Sequence, residues 1–180
     1  NASNISQTIN QYTTSGSVNQ RGGITIGGGY AYLTTSSELV YQLNATNISQ
    51  LIATYSGIGN RLEAALAYGN KGYVYTGGWD GFLYQLNSSN VSQLINKVNV
   101  GAVYYTPIVS DDYVFVTSGS GITYQLDANN ISVIIASEST GGNFNSPSIA
   151  NGIVYAHSGS KLYQYGDGAP LITLNSPADN

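Results

Sequence analysis

A Tyr-Gln-Leu strand followed by an Asn-rich turn recurs along this chain, and that recurrence limits what the chain can become. Its copies read Tyr41-Gln42-Leu43-Asn44-Ala45-Thr46-Asn47-Ile48-Ser49, Tyr84-Gln85-Leu86-Asn87-Ser88-Ser89-Asn90-Val91-Ser92 and Tyr124-Gln125-Leu126-Asp127-Ala128-Asn129-Asn130-Ile131-Ser132. A worn fourth copy is Tyr163-Gln164-Tyr165-Gly166. From Tyr41, the marker tyrosines follow at steps of 43, 40 and 39 residues. A period of about 40 denotes an array of one supersecondary unit, most often a propeller or a solenoid. Asn1-Ala2-Ser3-Asn4-Ile5-Ser6-Gln7-Thr8-Ile9 matches the half-repeat that begins at Asn44, so the opening residues read as part of a further copy.

Each repeat resolves into four short strands. In the first, Ile24-Thr25-Ile26 lies between glycine turns, Tyr30 to Thr34 follows, Leu39 to Leu43 carries the marker, and Ile48 to Tyr55 is the outer strand. The second repeat keeps this order with Leu62 to Tyr68 as its inner strand, although residues 61–67 also suit a helical turn. Trp79-Asp80-Gly81 reads as an Asp-Gly hairpin turn and Asn151-Gly152 as another. The third repeat runs from Val103 to Ser132, the fourth from Ser146 to Leu174. Apolar runs such as Tyr113 to Val116 indicate sheets packed on both faces. Four antiparallel strands per repeat around an axis make a propeller blade. The expected fold is therefore all-β, a four-bladed propeller over residues 10–174. Residues 1–9 are an extra outer strand and 175–180 a tail. A β-solenoid is the alternative.

These residues resemble the quinoprotein-like (PQQ-like) β-propeller repeat family. Thr106-Pro107-Ile108-Val109, Asp111-Asp112, Tyr113-Val114-Phe115-Val116 and Tyr124-Gln125-Leu126-Asp127 follow its repeat, as do Tyr73-Val74-Tyr75, Asp80-Gly81 and Leu83-Tyr84-Gln85-Leu86-Asn87. The resemblance implies a propeller. The Thr-Gly turn and docking tryptophan of the enzyme members have no counterpart, nor has the quinone pocket. The resemblance thus points to non-enzymatic scaffold and surface-layer members, with no cofactor.

Composition narrows the function classes. Five basic residues against nine acidic ones leave no basic patch for nucleic acid or anionic membrane. The absence of Cys excludes disulfides and thiol chemistry. No apolar run is long enough to span a bilayer. Neither an initiator Met nor a signal segment opens the chain, so a mature form or an excerpt of a longer protein is expected. His157, the single histidine, lacks a second ligand for a transition metal and reads as a rim residue. Asp111 and Asp112 read as turn residues, with too few oxygen ligands around them for calcium. Trp79 is a candidate binding platform for a sugar, or a wedge between blades.

Asparagine supplies the sharper signal. Sequons of the form Asn-x-Ser/Thr begin at Asn1, Asn4, Asn44, Asn47, Asn87, Asn90 and Asn130. All seven lie in the same turn of the repeat, and the other 12 asparagines form none. Turn geometry accounts for this clustering, because Asn tolerates left-handed backbone. N-glycosylation accounts for it equally and requires an exposed loop of an exported protein. The expectation is a glycosylated extracellular or cell-surface structural protein, without catalysis, that self-associates as a surface layer or filament. The alternative is a propeller lectin or adhesin binding between blades. Residues 1–9 then either close the ring of their own chain or add to the sheet edge of a neighbour.

Overall fold

The computed structural model describes residues 8–19, 22–139, 141, 146–158 and 160–166. Within them the chain forms four antiparallel sheets in sequence order. The first holds β1 (Thr25–Gly27), β2 (Tyr30–Thr34), β3 (Val40–Asn44) and β4 (Asn47–Tyr55). The second holds β5 (Ala67–Gly69), β6 (Tyr73–Gly77), β7 (Phe82–Asn87) and β8 (Asn90–Asn99). The third holds β9 (Ile108–Ser110), β10 (Tyr113–Thr117), β11 (Ile122–Asp127) and β12 (Ile134–Ser139). The fourth holds β13 (Ser148–Ala150), β14 (Ile153–Ser158) and β15 (Lys161–Tyr165). A fourth strand at Leu171 to Leu174, and most of the extra strand at residues 1–9, lie outside the described residues.

The four marker tyrosines occupy one position of one strand. Tyr41 pairs with Leu33, Tyr84 with Thr76, Tyr124 with Val116 and Tyr163 with Ala156, each partner being the fourth residue of its strand. Register is therefore identical in all four sheets. This is expected where a slip by one residue would turn every buried side chain outward. The ladder to the outer strand is irregular directly after the marker glutamine in the first three sheets, at Gln42, Gln85 and Gln125. That bulge bends the outer strand locally and increases its twist.

The inner strands are shorter than the apolar pattern suggests. Leu62 to Leu66 form no strand, and β5 begins only at Ala67. The same holds for Val103, since β9 begins at Ile108. These segments are wedges between sheets. Ile58, Leu62 and Leu66 pack with Tyr32 and Val40 of the first sheet and Val74, Tyr84 and Leu86 of the second. Val100 and Val103 join Tyr75 and Leu83 to Val114, Val116 and Leu126. An apolar run signals burial, and here the burial is met by loop instead of strand. Gly77 exists for this packing, because a Cβ there would stand 2.3 Å from the Cβ of Val103. At Asn151 and Gly152 both φ angles are positive, 52° and 75°, as a two-residue hairpin of the Asn-Gly kind demands.

Alternation gives each sheet two different faces. In the second sheet, Val74, Tyr84 and Leu86 face the first sheet, while Tyr75 and Leu83 face the third. Inner strands meet in chain order, β1 against β5, β5 against β9 and β9 against β13. Among the described residues β13 makes no comparable contact with β1. The molecule is thus a run of propeller blades with a first and a last face.

Burial pushes the phenols of Tyr32, Tyr75 and Tyr84 well above their ordinary value. A phenol raised in the folded state favours the fold fully below its unfolded pKa of about 10. That contribution is lost as pH rises from there toward the folded value. Denaturant midpoints measured from pH 8 to 12 are therefore expected to fall above about pH 10. The fall becomes shallower in a Tyr32→Phe, Tyr75→Phe variant.

Candidate functional site

The repeated turn between the third and fourth strands of each blade is where sequence singularity and geometry coincide. Its asparagines are held by one local device. Asn44 Oδ1 accepts the N–H of Thr46 at 2.9 Å and its hydroxyl at 2.8 Å. Asn47 Oδ1 does the same with Ser49, at 3.2 and 2.6 Å. Asn87 accepts from Ser89 at 2.9 and 2.7 Å, and Asn90 from Ser92 at 3.2 and 2.7 Å. Each of these four sequons is thus an Asx turn closed a second time by the hydroxyl of its third residue, while Asn130 accepts the Ser132 N–H at 3.1 Å. Asp127 keeps the device, accepting the N–H of Asn129 at 2.7 Å. That donor holds the Asp127 carboxyl below the usual carboxylate range. Turn geometry thus explains why Asp replaces Asn there, a change that removes a sequon-type asparagine but no backbone contact.

The residues directly after Asn87, Asn90, Asp127 and Asn130 point the other way, into the preceding blade. Ser88 and Ala128 are buried, and Val91 and Ile131 are fully so. What receives them is the glutamine beside the marker tyrosine. Gln42 Nε2 donates to the Ser88 carbonyl at 2.9 Å, and Gln42 Oε1 accepts the N–H of Val91 at 2.9 Å. The Tyr32 hydroxyl donates to the same Ser88 carbonyl. One blade later, Gln85 Nε2 donates to the carbonyls of Ala128 and Asn129, both at 3.1 Å, and the Ile131 N–H lies 3.5 Å from Gln85 Oε1. The Tyr75 hydroxyl donates to the Ala128 carbonyl. The first and second blades therefore each clamp the turn of the next with a buried Tyr-Gln pair. Sequence reasoning used these residues as repeat markers and missed their function. A glutamine recurring inside an apolar strand was the available signal, since a buried amide requires partners.

The joint between the third and fourth blades departs from this pattern. Phe115 replaces the clamp tyrosine, and Gln125 is only half-buried with no hydrogen bond from its side chain among the described residues. A cleft of about 610 Å3 opens beside it, lined by Phe115, Gln125, Glu138, Val154 and Tyr165 among others. The Tyr165 hydroxyl is buried there without a hydrogen-bond partner among the described residues. Burial raises its pKa, with Glu138 adding to the shift.

Of the other residues singled out, Asn44, Asn47, Asn87, Asn90 and Asn130 all stand in these turns. Asn1 and Asn4 lie outside the described residues. Asn44 and Asn87 donate through Nδ2 to Gln50 and Gln93, at 3.1 and 3.0 Å. Asn47 and Asn90 use only their oxygens. Trp79 is half-buried between the loops that join successive blades. The Arg61 guanidinium lies 4.6 Å from the centre of its ring, and Tyr104 meets it edge-on at 4.7 Å. Its Nε1 is buried and unpartnered. Asp80 beside it accepts from the N–H of Gly59 at 3.0 Å and from the Tyr84 hydroxyl, tying the hairpin to the interblade wedge. Asp112 pairs with Lys71 of the second blade at 2.7 Å. His157 is exposed on β14.

No family model and no curated protein matches the chain. Solved structures do. BamB from Moraxella catarrhalis is similar over 80% of this chain and 44% of its own, with a TM-score of 0.63 at 15% identity. The computationally designed Ika4 protein is similar over 89% of this chain and all of its own, with a TM-score of 0.69 at 14% identity. The designed Ika8 protein is similar over 73% of this chain and 41% of its own, with a TM-score of 0.63 at 12% identity. The chain spans less than half the length of BamB and of Ika8. These likenesses establish a β-propeller repeat fold.

Truncating a filled clamp is expected to cost far more than truncating an empty one. Gln42→Ala or Gln85→Ala strands a buried N–H and leaves a void, for a loss of about 2–4 kcal/mol. Gln125→Ala is expected to change stability by less than about 1 kcal/mol. In the turn, Asn47→Ala is expected to cost about 1 kcal/mol, and Asn47→Asp, which keeps the accepting oxygen, less. Urea unfolding of the purified variants measures all five.

Proposed function

We propose that this chain is a glycosylated, non-catalytic structural protein of the cell surface or extracellular space. It serves as a surface-layer or filament subunit built on a quinoprotein-like propeller of the non-enzymatic type. The observation that supports this reading is the two-sidedness of the sequon turn. Its apolar residues are buried in the blade joint, while Asn47 and Asn90 keep amide nitrogens without a protein partner and Asn130 is exposed. Such a turn can carry a bulky, solubilising group without disturbing the joint beneath it. Sparse charge on a chain of net charge −4 suits a protein that depends on sugar for solubility and associates with its own kind.

A lectin or adhesin is the second reading, favoured by the cleft between the third and fourth blades. A glycan array probed with the full chain tests it, and saturable binding to a defined sugar carries it. Trp79 is the weaker element of that reading, because Arg61 already covers its ring.

Mass spectrometry of natively purified protein is expected to find sugar on Asn47, Asn90 and Asn130, with Asn4 as the equivalent fourth site. Occupancy at Asn44 and Asn87 is expected to be lower, since their amide nitrogens already donate to glutamines. Bare asparagine at all of these positions rejects glycosylation and leaves turn geometry as the reason for the sequons.

A further inference from the structure

The two ends of this run of blades are complementary in the same way as its internal joints. The fourth blade carries a complete clamp, Tyr155 opposite Gln164 across β14 and β15, as Tyr32 stands opposite Gln42 and Tyr75 opposite Gln85. Gln42 and Gln85 are fully buried around the turns they hold. Gln164 is exposed, its neighbour Leu162 is 70% exposed, and neither clamp side chain has a hydrogen bond among the described residues. At the other end, the turn of the first blade has the residues a clamp takes. Ala45 and Ile48 stand where Ser88 and Val91, or Ala128 and Ile131, stand in the clamped turns. Yet Ala45 and Ile48 are only half-buried, and no glutamine side chain among the described residues bonds to them.

The chain ahead of the first blade reports the same missing neighbour. Tyr12 follows Asn4 at the interval by which Tyr55 follows Asn47. Tyr55 ends the outer strand of the first blade and meets Tyr84, the marker of the next, at 6.2 Å and 60°. Tyr12 meets the marker Tyr41 at 6.0 Å and 61°. Residue 12 is thus placed as the end of the outer strand of a sheet preceding the first blade. The fourth sheet lacks such a strand beside β15 among the described residues. Among the described residues, β13 and β1 of one chain are not joined as closely as the successive inner strands are.

We infer that the fourth sheet of one copy receives the first sheet of a second copy, head to tail. Tyr155 and Gln164 clamp the Ala45 carbonyl and the Ile48 N–H of the incoming copy. Residues 1–12 of that copy run antiparallel along β15 as its fourth strand. Gln125, which has no side-chain hydrogen bond among the described residues of its own chain, then holds Ala2 and Ile5 as Gln85 holds Ala128 and Ile131. A heterologous contact of this kind adds copies in one direction and produces a fibre unless the rotation closes. The inference rests on the self-association proposed above and names its joint.

Register supplies the test. Lys161 holds the place of Phe82, and Thr13 that of Asn99, which are partners across β7 and β8. Both are exposed, and the chain has no cysteine of its own. The full chain carrying Thr13→Cys and Lys161→Cys, oxidised and run on a non-reducing gel, is expected to give a ladder of disulfide-linked oligomers. Adding Gln164→Ala is expected to reduce the ladder about tenfold through loss of the clamp hydrogen bonds. Unchanged thermal melting shows that the fold survives. A compact, internally linked monomer in place of the ladder means that residues 1–12 close their own ring, and overturns the second copy as occupant. No disulfide at all overturns the register and the joint. Images of the native material separate the two levels. Assembled particles with no ladder reject this joint alone, whereas unassembled material rejects the self-association on which it rests.

Discussion

Everything in this fold hangs on a primary amide placed inside an apolar strand. Gln42 and Gln85 are fully buried, and a buried amide without partners would cost several kcal/mol, of the order of 2–7. Each finds a carbonyl and an N–H on the turn of the following blade. The strand-forming half of the repeat and the turn-forming half are thereby complementary to each other across a joint instead of within a blade. A single blade has an unsatisfied amide on one face and an unheld turn at its edge. Stacking satisfies both, and this is why the unit occurs as an array.

That arrangement also explains the composition of the turn. One side of it must bury small and apolar residues, supplied by Ser88 with Val91 and by Ala128 with Ile131. The other side must close itself, which asparagine does through an Asx turn reinforced by Ser or Thr. The pattern that a glycosylation apparatus reads is therefore also one that the fold can use. Asp127 shows the fold using it where no sugar can be attached. At Asn47 and Asn90 the proposed sugar and the observed turn do not compete, because they involve different atoms of the same side chain.

Fold class, strand order and register were legible because they are written in the spacing of identical residues. The steps between Tyr41, Tyr84, Tyr124 and Tyr163 gave the blades, and Asn151-Gly152 and Asp80-Gly81 gave their turns. Local hydrophobicity was less informative. Leu62, Leu66 and Val103 looked like strand residues because they are buried, yet they fill wedges between sheets. The clamp was legible only as a repeated letter, since nothing in a strand pattern says which neighbour an amide will meet. Trp79 was legible as a wedge between blades, whereas Asp80 read only as a hairpin residue and ties that hairpin to the interblade loop in space.

The clamp has a direction, because each blade holds its successor and is held by its predecessor. One link is chemically lighter than the rest. Phe115 has no hydroxyl, and Gln125 has nothing to hold within the described chain. In a linear array, stability is a sum of unit and nearest-neighbour terms, so melting need not be all-or-none. Fraying is thus expected to start at the fourth blade and stop where the Tyr75 and Gln85 clamp begins, leaving the first three blades as one cooperative block. A free subunit with this division keeps a rigid body and a pliant end, and a fibre in which the incoming copy fills that end would stiffen each subunit as it joins, leaving only the missing Phe115 hydroxyl as a lighter link at regular intervals.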